Sequence, residues 1–98
     1  FSAFYGSTKF ALSALAEALR RELAPHRVRV TQIKPAIVET EFQDVAGYDP
    51  ESFGKAAAKF GKLLVSEDVA RAIRFVVEQP PHVCINELMI RPVGQDYP

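Results

Sequence analysis

The run Tyr5-Gly6-Ser7-Thr8-Lys9-Phe10-Ala11-Leu12, continuing to Leu23, and the run Arg27-Val28-Arg29-Val30-Thr31-Gln32-Ile33-Lys34 after it decide the fold. In the first, Leu12, Leu15, Ala16, Leu19 and Leu23 recur at spacings of three and four, the period of one helix face. Ala11, Ala14 and Ala18 widen that face, and Glu17, Arg20, Arg21 and Glu22 mark the wet side. So rich an Ala/Leu surface predicts packing against more than one neighbour. Pro25 stops the helix. In the second run β-branched residues alternate in the manner of a strand from Arg27 to Lys34, which Pro35 ends. A helix joined by a short link to a strand is half of an α/β crossover.

Working outward, Ala36 to Thr40 reads as a loop at the C-terminal end of that strand, where open α/β sheets bind ligands. Asp49-Pro50-Glu51 is a helix start, with a capping acid, Pro at the first helical position and an acid in the first turn. That helix is expected to reach about Lys62. Ser66-Glu67-Asp68 starts another, with Val69, Ile73, Val76 and Val77 on its apolar face and Pro80-Pro81 beyond it. A last strand lies within Val83 to Val93, centred on Leu88, Met89 and Ile90, with Pro92 ending it. The order is helix, strand, helix, helix, strand. The spacing of Gly47, Gly54 and Gly61 reads as coincidence, not a repeat.

The chain has 98 residues, 48% of them hydrophobic, which fits one globular unit of marginal stability. Twelve basic residues balance twelve acidic ones, which argues against a nucleic acid or a polybasic membrane contact. No apolar run is long enough to span a bilayer, and the N-terminal segment lacks the layout of a signal peptide. A single cysteine, Cys84, excludes an internal disulfide and points to a reducing, cytoplasmic setting. Cys84 reads as a packed thiol in an apolar strand. His26 and His82 are too isolated in sequence for a metal site, so no metal is expected. A first residue of Phe is consistent with a fragment or a processed product.

Tyr5 and Lys9 lie one helical turn apart on the same face. A phenol has a pKa of about 10, too high for an efficient base at neutral pH. A cation beside it favours the phenolate and lowers that value. The bland alternative is an ordinary amphipathic surface, with Lys9 snorkelling along it.

Tyr5-x-x-x-Lys9, followed by the Ala/Leu-rich helix, resembles the catalytic helix of the short-chain dehydrogenase/reductase family. Arg27-Val28-Arg29-Val30-Thr31-x-Ile33 looks like that family's next strand, and Pro35-Ala36-Ile37-Val38-Glu39-Thr40 looks like its Pro-Gly-x-x-x-Thr loop. Asn86-Glu87-Leu88-x-Ile90-Arg91-Pro92, then Gln95, is similar to the tail of members that are NADP-dependent 3-hydroxy acid dehydrogenases or carbonyl reductases. The resemblance covers essentially the whole chain and corresponds to the C-terminal part of the family domain.

That resemblance implies the C-terminal portion of a Rossmann-type doubly wound parallel sheet. Residues 1–98 would be an incomplete domain whose N-terminal dinucleotide-binding half is absent. It implies an oxidoreductase moving hydride between NADP, with NAD possible, and a small hydroxy acid, alcohol or carbonyl. Tyr5 would be the general acid/base, and Lys9 would also bind the nicotinamide ribose. Pro35, Ala36, Val38 and Thr40 would join Tyr5 and Lys9 in contacting the cofactor, Val38 through its backbone at the carboxamide. The family's serine, Asn-rich segment and glycine-rich loop have no counterpart here, and no G-x-G-x-x-G run occurs. Ala36 stands where the family has Gly; it is strained if that position needs a positive φ and harmless otherwise.

Phe42, Tyr48, Phe53 and Phe60 fall in the family's substrate lid, where they either shape a pocket or bury the lid helix. Arg91 and Gln95 could touch substrate or a partner subunit; for Arg91 a solvated strand end is the simpler reading. The complete form is expected to be a homo-oligomer, dimer or tetramer. The alternative function is a truncated, non-catalytic association module that keeps the subunit-packing helix. Taken alone, the chain is expected to be inactive, poorly stable and prone to associate through bare strand edges and the apolar face of its first helix.

Overall fold

A computed structural model describes residues 3–47 and 49–96. Helix α1 runs Ala3–Leu23 and ends in a 3-10 turn, Ala24–His26, with Pro25 inside it. Strand β1 is Gln32–Pro35. Three helices follow: α2, Phe42–Val45; α3, Pro50–Phe60; and α4, Ser66–Val77. Strand β2, Glu87–Ile90, closes the order. The two strands pair in parallel, with Ile33 opposite Leu88 and Lys34 opposite Met89. Parallel neighbours joined through helices are the crossover that the helix-strand pattern implies.

The first strand is shorter than the Arg27 to Lys34 run predicts. Arg27 takes a left-handed conformation, φ 60°, and its N–H closes a turn on Ala24. The ladder begins only where Gln32 N–H meets the carbonyl of Asn86. Val28 to Thr31 have β-forming side chains but are outside that ladder, and propensity without a bonded neighbour does not make a strand. Pro35 is the last residue of β1, a position where its missing donor costs least.

The helix caps follow the sequence closely. The Asp49 carboxylate accepts from Glu51 N–H at 3.2 Å and from the Ser52 hydroxyl at 2.8 Å. These two donors, the Ser52 hydroxyl first, hold its pKa below the usual carboxylate value. Helix α4 is entered differently from the Ser66 start: Val65 is the capping residue, and its N–H donates to the Asp68 carboxylate at 2.8 Å. Gly47 and Gly61, at φ 75° and 77°, terminate α2 and α3, so two of the three evenly spaced glycines mark helix ends.

The core is small. Leu63 and Ala72 are its buried apolar residues among those described. On α4 the covered side is Val69, Ala72 and Val76, while Ile73 and Val77 face solvent. On α1 only Ser13, Ala16, Arg20 and Leu23 are half-covered, and Gly6 is buried; the expected stripe residues Leu12, Leu15 and Leu19 are exposed. Two strands cannot cover both sides of a 21-residue helix. The Cα radius of gyration is 15.8 Å and the long axis 49 Å. A self-contained globule of this length has a radius of about 13 Å. The hydrophobic composition reads as one globular unit, yet here that apolar surface stays spread along an elongated shape.

Candidate active site

Tyr5 and Lys9 sit in the first two turns of α1. The Lys9 ammonium lies 5.2 Å from the centroid of the Tyr5 ring, a cation–π approach produced by the four-residue spacing. Both residues are exposed, Tyr5 at 49%. Between them, the Ser7 hydroxyl donates to the Ala3 carbonyl at 2.6 Å and the Thr8 hydroxyl to the Tyr5 carbonyl at 2.7 Å. Those hydroxyls are thus turned back on the helix backbone. Gly6 is the buried residue of the helix.

The Pro35–Thr40 loop leaves the C-terminal end of β1. Ala36 N–H still donates to the Ile90 carbonyl at 2.8 Å, continuing the ladder one residue past the strand. Ala36 does not have a positive φ, so the substitution of Ala for Gly in the loop pattern carries no backbone strain. Val38 is half-buried and pairs in parallel with Leu64. The Thr40 hydroxyl accepts from Phe42 N–H at 3.1 Å and starts the short helix α2, an element absent from the sequence reading. Helix α1 is tied to β1 by Gln32 Nε2 donating to the Ser13 hydroxyl at 3.1 Å.

Two side chains lie elsewhere than expected. Cys84 is exposed instead of packed: it lines an open polar groove of about 500 Å³ between α1 and the strands, with Arg20, Gln32 and Asn86, and approaches the Val30 carbonyl at 3.6 Å. It precedes β2 in the chain. Gln95 is 3% exposed, so it faces the interior and not a substrate or a partner subunit. Arg91 is exposed at the strand end, near the Met89 sulfur. Of the lid aromatics, Phe42 is exposed, Phe53 and Phe60 are half-buried, and Tyr48 lies outside the described residues. The groove and the buried glutamine carry no motif, and each needed the fold to be found.

A family model described as short chain dehydrogenase matches residues 1–50, which hold Tyr5, Lys9 and the whole loop. The chain belongs to the short chain dehydrogenase family. A similar curated protein is the dehydrogenase/reductase SDR family member 11 of Bos taurus, 45% identical over 97 residues, 94% of this chain and 37% of that one. The farnesol dehydrogenase of Aedes aegypti is 38% identical over 98 residues, 98% of this chain and 36% of the relative. The chain thus spans about 37% of the length of the relatives it matches. Among solved structures, a closed form of serine dehydrogenase complexed with NADP+ superposes with a TM-score of 0.79 at 38% identity, covering 95% of this chain and 38% of that one. A serine dehydrogenase from Escherichia coli gives 0.68 at 33% identity, covering 95% of this chain and 33% of that one. The α/β fold with its small parallel sheet is therefore part of a short chain dehydrogenase fold.

Proposed function

We propose that residues 1–98 are the C-terminal catalytic and substrate portion of an NAD(P)-dependent oxidoreductase, with Tyr5 as general acid/base and Lys9 as its cationic partner. The observation that carries this reading is the stacking of Lys9 on Tyr5 at the start of α1, within the segment the family model matches.

The residues fit one end of a dinucleotide. Lys9 offers three donors on a flexible stem, suited to ribose hydroxyls. The loop after β1 offers backbone polar groups at Val38 and a hydroxyl at Thr40, suited to a carboxamide. Pro35 and Ala36 carry the chain into that position. No glycine-rich phosphate cradle occurs in this sequence, so the diphosphate end would be held by other residues of the full-length protein. NADP+ in the serine dehydrogenase complex favours NADP, with NAD the second possibility.

A bound nicotinamide supplies or takes up the hydride. The chain's own part is proton transfer and orientation. When a carbonyl is reduced, its oxygen becomes an alkoxide, and the Tyr5 hydroxyl gives it a proton. In the oxidative direction the same oxygen takes the proton of the substrate alcohol. Lys9, over the ring of that phenol, supplies the cation that favours the phenolate. Substrates of this class are small hydroxy acids, alcohols or carbonyls.

The test is Tyr5→Phe in the full-length protein. Turnover should fall by a factor on the order of 10² to 10⁴, the weight of general acid/base catalysis, with NADPH affinity retained. Near-normal turnover would remove Tyr5 from the mechanism. A second reading, an association module without chemistry, draws on the bare face of α1, where Phe4 is 88% and Phe10 77% exposed. Such a module would bind neither NADPH nor NADH. In a homo-oligomeric enzyme the same face would be covered by the remainder of the domain or by a second subunit.

A further inference from the structure

We propose that Gln95 is a positioning residue that fixes the backbone of Val38 for the cofactor; this rests on the functional reading above. Gln95 is the buried polar residue among those described, at 3% exposure, and burial of a primary amide is costly unless it is hydrogen-bonded. Its side-chain oxygen accepts from the N–H of Ile37 at 3.2 Å. The next peptide, which carries the Val38 N–H, is held where the Ile37 carbonyl accepts from Leu64 N–H at 3.3 Å. On the other side Glu39 N–H donates to the Leu64 carbonyl at 2.8 Å. Val38 is therefore clamped at both flanks, and one jaw is a side chain 58 residues further along the chain.

The tail that delivers Gln95 is itself seated. Gln95 N–H donates to the Pro92 carbonyl at 3.1 Å, and Pro92 is buried. Gly94 lies so close to the end of α3 that a Cβ there would come within 2.2 Å of the Phe60 carbonyl oxygen. The tail thus joins the end of α3 to the loop that follows β1. A displacement of either one moves Ile37, and with it the carbonyl and amide that Val38 presents.

The experiment compares Gln95→Met with Gln95→Glu in the full-length protein, using NADPH and NADH titrations. Met keeps the length and apolar fit but loses the acceptor. Glu keeps an acceptor oxygen, ionised or neutral, at the cost of a harder group to bury. Gln95→Met should raise the dinucleotide Kd about tenfold with little loss of Tm, the weight of one hydrogen bond. Gln95→Glu should lose more Tm yet bind more nearly as the wild type does. A merely structural glutamine gives the opposite ranking, with affinity following Tm, and that result overturns the assignment. Should both variants fail to fold, amide exchange in the wild type decides: Ile37 must be protected, and fast exchange there overturns the clamp. Wild-type protein that binds neither dinucleotide overturns the functional reading; wild-type binding with an unaltered Gln95→Met overturns only the role of Gln95.

Discussion

Tyr5 and Lys9 ride on a helix whose residues 7–12 all face solvent, whereas Ile37, Leu64 and Gln95 come from three distant parts of the chain and hold one another by hydrogen bonds. The first region presents two exposed side chains one turn apart on a helix. The second has its scaffold complete within these residues. A helix backbone satisfies its own hydrogen bonds, so α1 can present a Tyr–Lys pair from its own residues. A loop cannot: its amides need partners from elsewhere, and here two other segments supply them. The Tyr–Lys pair is locally encoded, and the loop after β1 depends on tertiary structure.

The largest effect should come from the local region. Tyr5→Phe removes the transferable proton and is expected to take the greater part of turnover with it, while the clamp around Val38, and so Tm, stays as it was. A large fall in Tm would break the contrast by showing that the phenol is a packing element. Lys9→Ala follows in size. On the proposed roles, in which one cation serves both ribose and phenol, it should weaken NADPH binding and turnover together, each by about ten- to a hundredfold. A change in Tm alone would show Lys9 merely lying along the helix surface.

Gly94→Ala tests the other region. The added methyl meets a backbone oxygen, which cannot rotate away as a side chain could, so the tail must lift from α3. The expected cost is about 1–3 kcal/mol, as for overpacking elsewhere, read as a fall in Tm with faster amide exchange at Ile37. Unchanged exchange at Ile37 would uncouple the tail from the loop.

How much of this was legible in the sequence follows the same divide. The Tyr5–Lys9 pair, the Asp49 cap and the Pro50 start depend on residues within four positions of one another, and the structure places them as read. The strand from Arg27 was overextended because its β-branched residues signal propensity, while the ladder depends on where a partner 55 residues away begins. The apolar stripe of α1 was right in period, but which residues are covered depends on the surrounding elements. The sequence places Gln95 in the tail, as a side chain that could touch substrate or a partner subunit. Only the fold brings it under the amide of Ile37.

The smallest effect expected is local again, and it depends on pH. The Asp49 carboxylate, held below its ordinary pKa first by the Ser52 hydroxyl and then by Glu51 N–H, caps α3 next to the proposed lid. A carboxyl whose folded pKa is depressed stabilises the fold at pH values above its unfolded pKa of about 3.9. That contribution fades as pH falls from there through the lower folded value. The first turn of α3 should therefore fray in acid, seen as faster exchange at Glu51 to Phe53 relative to α4. Asp49→Asn keeps a capping oxygen without the titration and should flatten this local pH profile; Asp49→Ala should fray the turn at every pH. Throughout, the Ile37 amide should keep its protection, because the clamp contains no titratable group. If Asp49→Asn still frayed on acidification, another carboxyl would control that turn, and if Ile37 opened in step with it, α3 and the clamp would be one cooperative unit joined through Gly94.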